Sequence, residues 1–149
     1  MIINVKERCN VSLYFHIKLM SGTIHVVNIH TDDCSGKDNY FYIGRSKDGN
    51  PLGNPFTHNG AKSSLAKLTF KTREEAIAAY KKYFEMAYGQ PGYEALTNAF
   101  NNIYKHYKNG EDIYLGCFCA PKPCHGQVIA EQLQKKLIRE RMAEMKLNH

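Results

Sequence analysis

The feature that most limits the fold is the run Ile113-Tyr114-Leu115-Gly116-Cys117-Phe118-Cys119-Ala120-Pro121-Lys122-Pro123-Cys124-His125-Gly126. Ile113-Tyr114-Leu115 is a short apolar stretch, the pattern of a buried strand. From Gln127 onward, Val128, Ile129, Leu133 and Leu137 recur at helical spacing. A strand that feeds a helix through a proline-stiffened loop directs the chain toward an α/β architecture. It puts Cys117 and Cys119 at the carboxyl end of a strand and Cys124 and His125 at the amino end of a helix. Open α/β sheets bind ligands at that edge.

The rest of the chain supplies partners for this crossing. Thr23-Ile24-His25-Val26-Val27-Asn28-Ile29-His30 is β-branched and flanked by turn residues, so it is expected as a strand, as is Tyr40-Phe41-Tyr42-Ile43. Thr72 with Glu75 three residues on reads as a capping box opening a helix, which Gly89-Gln90-Pro91-Gly92 stops. A second helix is expected over Tyr93 to Tyr107, with Leu96, Phe100, Ile103 and Tyr104 on its apolar side. Ile2 to Val5 and Val11 to Leu19 are expected to pair as a hairpin on the sheet edge. The expected fold is therefore a small three-layer α/β domain. Its mostly parallel sheet is built near Val26, Tyr42 and Tyr114. At 149 residues the chain is read as a single domain: an N-terminal β extension over 1–22, a core over 23–134 and a helix end over 135–149.

Three chemistries compete for the cysteine cluster. Thiolates and an imidazole are standard zinc ligands, but the C-x-C spacing and the adjacent Cys124-His125 pair do not match the usual knuckles, so no metal ligand is assigned and zinc is the weaker reading. A cysteine at a helix amino terminus is acidified by the free amides there, which makes Cys124 a candidate nucleophile. His125 is its candidate acid or base, with His30 and His58 as substitutes from neighbouring loops. The same amides can instead seat an anion. The third reading is structural, with the thiols acting as small hydrophobes.

A second stretch points to a ligand. Gly44 to Gly60 is rich in Gly, Asn and Pro, a composition that argues against regular structure, and long loops inside compact domains tend to be functional. Arg45 can fork onto a phosphate or carboxylate, Asn54 can read an amide or base edge, and Gly44 allows close backbone approach. A formal net charge of +6 suits an anionic partner. A nucleic-acid surface is compatible with that charge but not favoured, because no groove-reading or stacking motif accompanies it. Five cysteines, an odd count without a disulfide framework, fit a reducing cytoplasm. No apolar run reaches the length of a membrane span.

Tyr42-Ile43-Gly44-Arg45, Leu52-Gly53-Asn54-Pro55-Phe56, Arg73-Glu74-Glu75 and the run from Leu115 to Gly126 together resemble the family called domain of unknown function 4326, over roughly Val26 to Leu133. The resemblance implies a small α/β domain of bacteria and bacteriophages without an assigned activity. Gln127 stands where many relatives are expected to carry an acid, so no mechanism needing a carboxylate beside His125 follows from it. The functional expectation is a cytoplasmic binder of a phosphate-bearing, nucleotide-like small molecule. Gly44, Arg45, Asn54, Cys117 and Cys119 hold the ligand, and Cys124 with His125 supplies hydrolase or transferase chemistry if a reaction occurs. The alternatives are a non-catalytic phage protein that sequesters a nucleotide signal, and a zinc-stabilised nucleic-acid module. A subunit contact through the helix end is compatible with all three.

Overall fold

The computed structural model describes residues 21–34, 36–59 and 65–148. The expected N-terminal hairpin lies outside them. Strands β1 (Ile24–Asn28), β2 (Tyr40–Tyr42) and β5 (Ile113–Cys117) form a three-stranded sheet in the order β1-β5-β2. Both pairings are parallel, with Val26 opposite Leu115 and Phe41 opposite Leu115 from the other side. Two short strands, β3 (Phe56–Thr57) and β4 (Leu68–Thr69), make a separate parallel pair. Regular structure thus does enter the Gly44 to Gly60 loop. It enters where Phe70 and Thr57 close the β3–β4 ladder with a 2.7 Å backbone bond.

Among the described residues three helices follow the strand alternation: α1 (Arg73–Ala87), α2 (Glu94–Lys108) and α3 (His125–Leu147). The capping box at α1 forms as expected: Thr72 accepts the Glu75 amide, and the Glu75 carboxylate accepts the Thr72 amide. Lys105 and Lys108 occupy the last turn of α2, where positive charge complements the helix dipole.

One face of the sheet carries the core. The register puts Ile24, Val26, Phe41, Ile113, Leu115 and Cys117 on the same side, and all of them pack with the apolar faces of the helices. Tyr80, Phe84, Phe100 and Ile103 from α1 and α2 are essentially fully buried there. Burying each large side chain stabilises the fold by roughly 1.5–3 kcal/mol. The α/β class and the parallel sheet are as expected.

Helix α3 approaches the sheet closely because position 126 has no side chain. A Cβ on Gly126 would stand 2.8 Å from Val26 Cγ1 and 3.2 Å from both Ile43 Cδ1 and Cys124 Sγ. The start of the helix is therefore seated directly on the strand ends.

Asn28, the last residue of β1, holds the cysteine loop to that strand. Its Nδ2 donates to the Ala120 carbonyl at 2.8 Å and the Phe118 carbonyl at 3.2 Å, while its Oδ1 accepts the His30 amide at 2.9 Å. Asn28→Ala is expected to destabilise the protein by about 1–3 kcal/mol. It should also speed hydrogen exchange in residues 118–124 ahead of the rest of the chain. Equal exchange rates in variant and wild type would contradict the anchoring role.

Candidate functional site

The carboxyl ends of β2 and β5 open into a cleft of about 340 Å3. Its walls are the loop after β2, the start of α1, the cysteine loop and the first turn of α3. Every candidate site residue lines it: Gly44, Arg45, Asn54, Cys117, Cys119, Cys124 and His125. The two stretches singled out in the sequence therefore meet at one place.

The Arg45 loop is shaped by its own polar side chains. Asn50 accepts the Leu52 amide and donates to the Tyr42 carbonyl, Asn54 accepts the Phe56 amide, and Thr57 accepts the Asn59 amide. These local turns let the segment hold a fixed course without a long ladder. Arg45 closes the loop by donating from Nη1 to the carbonyls of Asn54 at 2.8 Å and Phe56 at 3.1 Å. With its Nη1 so held, Arg45 lines the cleft. Asn54 is buried, and its recorded bonds are internal to the loop.

His125 is a core residue at the cleft floor. It is only 7% exposed, its Nε2 donates to the Ile43 carbonyl at 2.6 Å, and its ring stands edge-on to Tyr80 at 4.9 Å. Burial, with some help from the Arg45 charge, pushes its pKa down to about 4, so the ring is neutral at physiological pH. The proton on Nε2 holds helix α3 to the end of β2.

The thiols divide the work unequally. Cys124 is the N-cap of α3: its sulfur accepts the Gly126 amide at 3.2 Å, and its own amide donates to Gln127 Oε1 at 2.6 Å. Gln127, where an acid was the family expectation, thus completes a capping box. Cys124 Sγ lies 3.4 Å from Cys117 Sγ. A helix-start thiolate at Cys124 was the expectation from sequence, but its pKa is pushed upward. The first cause is its role as hydrogen-bond donor to Cys117 and Cys119, followed by burial.

The charge settles instead on its neighbours. Cys119 is lowered to about 5, first by the Cys124 hydrogen bond, then by Arg73, which both hydrogen-bonds and attracts it, and by the positive field of His58. Cys117 is also lowered, by Cys124 and by the Ala120 and Cys119 amides. Cys124 has one S–H proton and can serve one sulfur at a time. Cys119 is favoured as the thiolate because it alone has a cation beside it and is partly exposed to the cleft.

Two cleft residues were not assigned from sequence. Arg73 is the first residue of α1, lines the cleft, and donates from Nη1 to the Pro123 carbonyl at 3.1 Å. The available signal was its position, since a cation in the first turn opposes the helix dipole and implies a partner elsewhere. Phe118 is 53% exposed and lies between His30 and Tyr42, with ring centroids 5.2 and 6.0 Å away. His58, named as a possible base, lines the same wall. Among the described residues no group of three or more His, Cys, Asp or Glu side chains is arranged to hold a metal ion. No described helix is long and apolar enough to cross a membrane.

The fold and site together define a parallel α/β domain with a thiol-bearing, cationic cleft at its strand ends. Over residues 27–135 the chain matches the family described as Domain of unknown function (DUF4326), and it belongs to that family. No curated protein and no solved structure matches it.

Proposed function

We propose that the chain binds a phosphate-bearing, nucleotide-like small molecule in this cleft, with Cys119 as the thiolate available for chemistry on it. The supporting observation is the charge of the walls: among the described residues, Arg45, Arg73 and His58 face the cleft and no acidic side chain lines it. Charge-assisted bonds from a guanidinium fork suit phosphate. The exposed Phe118 ring at the rim suits stacking against a base, and the volume falls within the range of small-molecule sites.

In this reading Arg45 and Arg73 hold the phosphate, Gly44 and Asn54 shape the wall, and His125 positions the first turn of α3. Acid–base hydrolysis by His125 is the weaker branch, since Nε2 is already bonded to the Ile43 carbonyl. Binding alone, or covalent capture by a thiolate, fits the group better. A cytoplasmic setting, where thiols stay reduced, is part of the proposal.

Calorimetric titration with a nucleoside monophosphate, the matching nucleoside and inorganic phosphate tests it. The nucleotide is expected to bind most tightly. Arg73→Ala and Arg45→Ala are each expected to weaken it by roughly tenfold or more, the worth of a charge-assisted hydrogen bond. Equal affinity for nucleoside and nucleotide, or unchanged binding in Arg73→Ala, would remove the phosphate assignment. Mass spectrometry of small molecules that survive purification gives the ligand directly.

A further inference from the structure

Cys117 and Cys124 are both buried, at 1% and 4% exposure, yet both line the cleft wall and their sulfurs stand 3.4 Å apart. A disulfide requires about 2.05 Å, so a sulfur displacement of little more than about 1 Å would close the bond. Cys117 ends β5, and Cys124 caps α3 on a loop stiffened by Pro121 and Pro123. The two thiols are thus held together by the same strand-to-helix crossing that forms the site.

We propose that Cys117 and Cys124 are a reversible disulfide pair, and that closing the bond switches off the thiolate at Cys119. The switch rests on the reading of Cys119 as the cleft thiolate. The bond itself does not.

A small peroxide supplies the oxidation. When the Cys124 S–H is turned to Cys117, as in its 3.4 Å contact, the Cys117 sulfur as thiolate attacks one peroxide oxygen: an S–O bond forms, the O–O bond breaks, and the departing hydroxide takes a proton from solvent to become water. The Cys124 sulfur then displaces the hydroxyl of the sulfenic acid. An S–S bond forms, the S–O bond breaks, and the hydroxyl leaves with the Cys124 proton as a second water. Two thiols are oxidised and one peroxide is reduced to water. The Cys124 S–H is consumed, so Cys119 loses the donor that contributes most to its acidity.

The test uses the full chain treated with hydrogen peroxide, then trypsin digestion and mass spectrometry of the peptide that carries all three cysteines. It is run first in Cys119→Ser, so that the exposed thiolate does not compete. The peptide is expected to lose two hydrogens in Cys119→Ser, to keep them when Cys117→Ala or Cys124→Ser is added, and to regain them with dithiothreitol. In wild type, oxidation is expected to shift the midpoint of the Cys119 alkylation profile upward by a pH unit or more, reversibly. A peptide that stays fully reduced in Cys119→Ser would overturn the pair. An unmoved midpoint after confirmed bond formation would overturn the switch. Neither result depends on nucleotide binding, so each is separable from the fate of the proposed ligand.

Discussion

Between about pH 6.5 and pH 4 the protein is expected to lose roughly 3 kcal/mol of stability through His125, and His125→Gln is expected to abolish that loss. The ordinary histidine value of 6.5 applies to the unfolded chain, while the folded ring is held down to about 4. Below 6.5 the unfolded state therefore takes up a proton that the folded state refuses. The histidine contribution is fully present above 6.5, erodes as pH falls, and is gone below 4. The magnitude follows from about 1.4 kcal/mol per pH unit, for a group that is almost wholly buried. Cys119 adds a slope of the same sign above pH 5, because its folded value is also depressed. The difference between the two proteins isolates the histidine, since Cys119 is common to both. Gln places an amide nitrogen near the Nε2 position and cannot titrate. Urea denaturation at pH 7 and pH 4.5 reads the effect, and parallel losses in both proteins would show that His125 is not the buried neutral group described.

A second large effect is expected at the thiols. Cys124→Ala should raise the midpoint of the Cys119 alkylation profile from about 5 by roughly 2 units or more, toward the ordinary thiol range, whereas Cys124→Ser should leave it low. Serine retains an O–H donor and alanine does not. The midpoint is a cleaner readout than the rate at one pH, because a thiolate of higher pKa is intrinsically more nucleophilic and partly offsets its smaller population. Arg73→Ala should shift the midpoint in the same direction by less, as the Arg73 contribution ranks below that of Cys124. Identical profiles in the Ala and Ser variants would mean that the Cys124 proton does not set the acidity of its neighbour.

Much of this arrangement was legible in the chain. The strand-to-helix crossing, the strands at Val26 and Tyr42, and the Thr72–Glu75 capping box follow from period and cap chemistry, which are local and leave direct traces in sequence. The meeting of Arg45 with the cysteine loop was inferred from topology, because strand ends of a parallel sheet gather on one edge. What sequence did not reveal was the division of labour inside the cluster. A cysteine at a helix start reads as an acidified thiol, yet Cys124 uses its sulfur as a cap and its proton as a donor, and the charge moves to Cys119. That outcome depends on which sulfurs touch and on Arg73 arriving from 46 positions earlier in the chain, a long-range contact with no local signature. His125 was obscured for the same reason, since its partner is a backbone carbonyl 82 residues away.

The phosphate reading of the cleft depends on Arg45 and Arg73 making it positive where Cys119 lies, and one comparison of rates at Cys119 reads that field. Iodoacetate and iodoacetamide attack thiolates by the same displacement but differ by a carboxylate charge. At low ionic strength the ratio of their rates at Cys119 is expected to exceed the ratio for free cysteine by about tenfold, to shrink as salt is added, and to fall to the free-cysteine value in the Arg45→Ala, Arg73→Ala double variant. A wild-type ratio equal to that of free cysteine at low ionic strength would contradict the claim that these two loops build one anion-collecting site.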